Sequence, residues 1–172
     1  FVGSRGLGDV YKRQLKYGYV AIGGAASSAK SHTMAAFAII CWASEPADTQ
    51  VLITSTSITA SRKRIWGSVV KLLSPIEQFL PCKIRDSLGT APYVDTNGTV
   101  YDQAGLALVA AEKSKTRQAV GKLIGAKAGI ANQDDGHIIV IGDELSELSP
   151  ALIEACMTCL LYTSPSPRDP TK

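Results

Sequence analysis

The sequence has no apolar run as long as the roughly 18–20 residues of a membrane span, which excludes a spanning helix within these 172 residues. Cysteine is scarce. Cys41, Cys82, Cys156 and Cys159 form no disulfide framework, and one C-x-x-C pair without a second is weak evidence for zinc. Free thiols of an intracellular protein are the expectation. Histidine is scarcer still: His32 falls in a helical first turn and His137 has no metal-ligating neighbours at suitable spacing. There is no internal repeat.

Charge of one sign is also lacking once its distribution is considered. The formal net charge is +3. All of that excess sits in residues 1–14 and 159–172, where Arg5, Lys12, Arg13, Arg168 and Lys172 face only Asp9 and Asp169. The interior is neutral, so bulk charge does not argue for nucleic acid. The two ends are related in an unusual way. Ser4–Gln14 back-translates to a DNA whose reverse complement, read one base out of frame, encodes Cys159–Asp169. Two unrelated peptides have no reason to be complementary. Residues 1–14 and 159–172 therefore read as translated sequencing adapter, to be set aside in fold reasoning. Residues 15–158 are expected to hold a partial domain, large enough for a sizeable core.

Within that interior, apolar runs and helical patterns alternate. Tyr17–Ile22 predicts a buried strand, and a helix is expected from about Ser31 to Ala43. Ser44–Thr49 carries helix breakers and predicts a turn. Gln50–Thr54 predicts a strand, and Thr59–Leu73 a helix with Ile65, Val69, Leu72 and Leu73 on one face. Cys82–Asp86 suggests a short strand, and Asn97-Gly98 suggests a hairpin or loop within Tyr93–Tyr101. Leu106–Ala111 and Ile138–Ile141 predict further buried strands, and a helix is expected to begin near Ser149. The pattern predicts an α/β fold: a mostly parallel sheet with helices on both faces.

The chemistry concentrates at two places. Gly23-Gly24-Ala25-Ala26-Ser27-Ser28-Ala29-Lys30-Ser31 lies between a predicted strand and a predicted helix. That is the context of a phosphate-binding loop, in which backbone N–H groups and a helix N-terminus cradle a triphosphate. Lys30 would reach the β- and γ-phosphates, and the Ser31 hydroxyl would coordinate Mg²⁺. Ala29 stands where the usual spacing has its second glycine. Alanine is acceptable there at negative φ and strained at positive φ. The second place is Ile138–Ile141 followed by Gly142-Asp143-Glu144. Asp143 at a strand's carboxyl end can hold Mg²⁺ with Ser31, and Glu144 can orient and deprotonate water. The alternative for Asp143-Glu144 is an acidic pair capping the next helix. Arg62, Lys63 and Arg64 read as a solvated helix face before a phosphate contact, Lys113 to Lys127 is a looser basic stretch, and Trp42 and Trp66 read as core.

These segments together resemble phage terminase large subunits. The resembling residues are Gly23–Thr33, Val51–Ser57 with Arg64–Gly67, and Ile138–Ala155. The resemblance implies a P-loop NTPase core that uses ATP and Mg²⁺ to drive double-stranded DNA into a capsid in the host cytoplasm. It further implies a homo-oligomeric ring, partnership with a portal protein and a small terminase subunit, no membrane, and a separate metal-dependent nuclease outside these residues. The loop carries no arginine, which members of the family often have. Two other readings stay open: a helicase-like nucleic-acid motor, and a nucleotide-binding protein without hydrolysis.

Overall fold

The computed structural model describes residues 29–55, 57–110, 130, 136–143 and 150. The expected strand Tyr17–Ile22, residues 23–28 of the loop, Glu144 and nearly all of the helix near Ser149 lie outside them.

Helix α1 spans Lys30–Ser44. Its run of alanines favours helix, and Phe37, Ile39, Cys41 and Trp42 bury its apolar side. It stops before Pro46, which cannot continue a helix. Ser44 Oγ donates to the Cys41 carbonyl at 2.8 Å, and the Trp42 indole donates to the Pro46 carbonyl at 3.2 Å. The turn leads into strand β1, Thr49–Ser55, buried along its whole length. Ser57 then caps a helical stretch, its Oγ accepting from the Ala60 N–H. The stretch comprises α2, Ile58–Ser61, a π-helical turn at Arg62–Trp66, and α3, Gly67–Leu73. The Gly67 N–H reaches back to the Arg62 carbonyl, which places the extra residue of the π turn here. Ile65, Trp66, Val69 and Leu73 are fully buried, and the Trp66 indole donates to Asp86 Oδ1 at 3.0 Å. Both tryptophans are core, as expected.

Two 3₁₀ turns, Ser74–Phe79 and Asp86–Leu88, lead to β2, Thr90–Val94, and β3, Val100–Ala110. The short strand expected at Cys82–Asp86 is instead two isolated bridges, Cys82 to Tyr93 and Arg85 to Thr90. The β2–β3 hairpin is organised by Asp95, whose Oδ1 accepts from the Asn97 and Thr99 N–H groups at 2.9 and 2.7 Å. Those bonds, Thr99 first, hold the Asp95 carboxyl below its ordinary pKa. Gly98 supplies the positive φ of the turn, 81°. Strand β4 is His137–Gly142.

The sheet order is β2-β3-β1-β4. β3 and β4 both run parallel to β1, and β2 pairs antiparallel with β3 at the edge. The described sheet is therefore mostly parallel, as the sequence implies. Its register fixes two faces. Val51, Ile53 and Ser55 align with Leu106, Leu108 and Ala110 and with Ile139 and Ile141. That face meets α1 and α3 in one apolar cluster. Gln50, Leu52 and Thr54 point to the opposite face and are buried too. The described helices that pack on the sheet do so on the first face. Burial pushes both the Cys41 and Cys82 thiols up to about 11, so at neutral pH they are protonated, unreactive core groups.

Candidate functional site

Both sequence candidates are placed by the sheet's parallel direction. Only four residues separate the end of α1 from the start of β1, so α1 runs back antiparallel to β1 as it packs on it. Fifteen helical residues span about 22 Å. Seven strand residues span about 23 Å. The lengths match, and the N-terminus of α1 therefore reaches the carboxyl edge of β1, the same edge at which β4 ends.

At the α1 N-terminus Ala29 has φ 57° and ψ 19°, the left-handed region. This answers the question that the missing glycine poses: the position takes the conformation in which alanine is strained. Among the described residues it is the sole non-glycine with positive φ. The Ala29 carbonyl accepts from the Thr33 N–H at 2.9 Å. The N–H groups of Lys30, Ser31 and His32 therefore have no acceptor within the helix and point along its axis. A left-handed residue followed by helical N–H groups makes a concavity that favours an anion, and the helix dipole adds to it. Ala29 itself offers no side-chain cap. Lys30 and Ser31 are partly buried, while His32 is exposed in the first turn, where the sequence places it.

The strain at Ala29 predicts a measurable gain. Ala29→Gly should raise stability by about 0.5–1 kcal/mol, the left-handed penalty less the extra unfolded-state freedom of glycine. Urea denaturation would check this; a lower midpoint would mean that residue 29 is not left-handed in solution.

Asp143 lies one residue beyond β4. Its N–H donates to the Thr54 carbonyl at 2.9 Å, which extends the β1–β4 ladder by one step. By register Asp143 follows Ile139 and Ile141 onto the face that α1 covers. Its Oδ2 is buried without a hydrogen-bond partner among the described residues. On the same face, at the end of β1, Ser55 is 1% exposed and its Oγ is also buried without a partner. Ser55 was not among the sequence candidates. Its signal was parity: it stands two residues after Ile53 and four after Val51. Buried polar atoms usually meet a ligand, a protein group or ordered water. Among the described residues Asp48, Gln50, Thr54, Ser61 and Thr90 also carry one without a partner, so it is the adjacency of Ser55 and Asp143 on one face that marks this pair.

These groups suit a hard cation. Magnesium takes oxygen donors, keeps several waters and needs only one or two protein groups beside substrate phosphates. Ser31 and Asp143 are of that kind. Among the described residues no group of three His, Cys, Asp or Glu residues could hold a metal, so a self-sufficient zinc-type cluster is not part of this arrangement.

Two other features lie elsewhere. Arg62, Lys63 and Arg64 are all exposed, and Arg62 Nη2 donates to the Ser87 carbonyl, which ties Arg62 to the fold. A cavity of about 220 Å³ is lined by Gln50, Arg85, Thr90, Asp102 and Gly105 among others. Gln50 is the second residue of β1, so this cavity sits near the amino edge and away from Asp143. His137 is likewise at the amino edge, its Nε2 3.0 Å from Glu45 Oε2. Among the described residues no helix is long and apolar enough to cross a membrane. No protein-family model matches the chain, and no curated protein or solved structure is significantly similar to it.

Proposed function

We propose that this chain carries the ATP-hydrolysing core of a DNA-packaging motor of the phage terminase large-subunit type. The observation that supports it most is the shared position of two features at one edge and one face of a parallel sheet. One is a helix start with a left-handed residue before it, bearing Lys30 and Ser31; the other is the strand-end carboxylate of Asp143. On this reading Gly23–Ser31 binds the phosphates of ATP through N–H groups, and Lys30 neutralises the β- and γ-oxygens. Ser31 and Asp143 hold Mg²⁺, which supplies charge neutralisation at the phosphates when bound. Glu144 takes the proton of the attacking water. Double-stranded DNA, a portal protein and a small subunit are the proposed partners, a ring of copies the working assembly, and the host cytoplasm the setting.

The test is nucleotide binding to this chain, read by the fluorescence of a labelled ATP. Lys30→Ala is expected to weaken binding at least tenfold while leaving the far-ultraviolet dichroism unchanged. Equal affinity of the two proteins would remove the phosphate-binding assignment.

A further inference from the structure

We propose that Ser55 is a positioning residue of the cation site, a hydroxyl that holds the water shell of the bound divalent ion beside Asp143. The inference rests on the nucleotide reading above and adds a residue to it.

The register carries the argument. Thr54 pairs with Gly142 across the parallel β1–β4 ladder, and the Asp143 N–H bond to the Thr54 carbonyl continues that pairing. Ser55 and Asp143 are therefore lateral neighbours, on strands about 4.8 Å apart. Both face the side on which α1 packs, and α1 brings Ser31 to the same edge. Yet Ser55 Oγ and Asp143 Oδ2 do not bond each other, and neither has another partner among the described residues. Two buried oxygens side by side, both with unused acceptor capacity, match a group that offers several donors at once. A hydrated divalent cation does so: its waters are polarised donors, and magnesium gives up few of them. Groups that orient such waters act through hydrogen bonds, as outer-shell partners of metal sites do. Thr54 Oγ1 is orphaned as well, so it is the place of Ser55 beside Asp143, and not the unpartnered hydroxyl alone, that singles it out.

Thr54 is the internal control. It is equally buried and its Oγ1 is equally unpartnered, but it points to the opposite face. The measurement is Mn²⁺ binding in the presence of ADP, followed by electron paramagnetic resonance. Metal-free ADP affinity is measured separately in EDTA. Ser55→Ala should weaken Mn²⁺ binding about tenfold and leave the EDTA affinity unchanged. Ser55→Thr should restore Mn²⁺ binding, and Thr54→Ala should match the parent. Since Ser55→Ala removes an unsatisfied hydroxyl, its urea midpoint should not fall, so a folding defect is separable. Mn²⁺ binding by Ser55→Ala at parental strength would overturn the role of Ser55 while leaving the nucleotide reading intact. Failure of the parent chain to bind ADP at all would overturn both.

Discussion

Gly105→Ala should destabilise the fold by about 2–5 kcal/mol, enough to consume much of the 5–15 kcal/mol typical of a domain. Gly105 has φ 121°, a conformation side chains rarely adopt. A Cβ there would lie 2.3 Å from the Ala91 carbonyl oxygen and 2.8 Å from Pro92 Cα. Both are backbone atoms of β2, so no flexible side chain can give way. Relief requires β2 to move off β3, and the β2–β3 pairing is already irregular between Pro92 and Tyr93. Proline has no N–H to restore the ladder. The contrast is Gly98→Ala, at φ 81° with nothing within 4 Å of the added Cβ. It should cost only the left-handed penalty, about 1 kcal/mol. Urea midpoints of the two variants measure the difference. Equal midpoints would mean that β2 does not lie against residue 105.

That prediction also marks where the sequence stops being informative. Strands β1 and β4 were legible from their continuous aliphatics, and their observed ends fall within one residue of expectation. The expected burial on both faces holds for β1, whereas in β4 Ile141 is buried and Ile138, Ile139 and Val140 are half-buried. Helix α1 was legible from its alanines and from Pro46. The hairpin was half legible: Asn97-Gly98 marked its turn, but β2 was not assigned. Thr90-Ala-Pro-Tyr-Val has neither strict alternation nor a long apolar run, and a proline argues against a strand interior. Its place is set by β3, eleven residues long, whose polar start at Tyr101-Asp102-Gln103 hid its true length. Long-range register decides such edges, and one chain gives no local trace of it. The π turn at Arg62–Trp66 left no local signal either; it keeps Ile65 and Trp66 buried in phase with Val69 and Leu73.

The site divides the same way. Lys30, Ser31 and Asp143 were candidates from residue type and spacing. Ser55 was passed over because Thr54-Ser55-Thr56-Ser57 reads as the polar start of a loop; only the strand's parity separates Ser55 from Thr54. The φ of Ala29 was not legible at all. Alanine prefers the right-handed region, and its left-handed state reflects what the surrounding chain imposes at the helix start.

The largest functional effect is expected at the carboxylates, where Asp143→Asn and Glu144→Gln should each lower ATP turnover by roughly 10²–10⁴-fold, for different reasons. Asp143 extends the β1–β4 ladder through its own N–H, which a side-chain change does not touch. Asparagine keeps the size and one carbonyl oxygen but loses the charge that favours a divalent ion. Its side-chain N–H₂ would also present donors where Oδ2 now has unused acceptor capacity. Asp143→Asn should therefore lose turnover with a large rise in the Mg²⁺ concentration required, and metal-free nucleotide affinity should hold. Glu144→Gln should keep both metal and nucleotide affinity and lose the chemical step alone, since glutamine cannot take the proton of water. Steady-state phosphate release across a Mg²⁺ titration separates the two. Retained turnover in Glu144→Gln would remove it as the base. An unchanged Mg²⁺ requirement in Asp143→Asn would move the cation away from the end of β4. It would also return Asp143-Glu144 to the plainer role that their position allows, two acidic residues at the start of the following segment, where a helix N-terminus would be stabilised by negative charge.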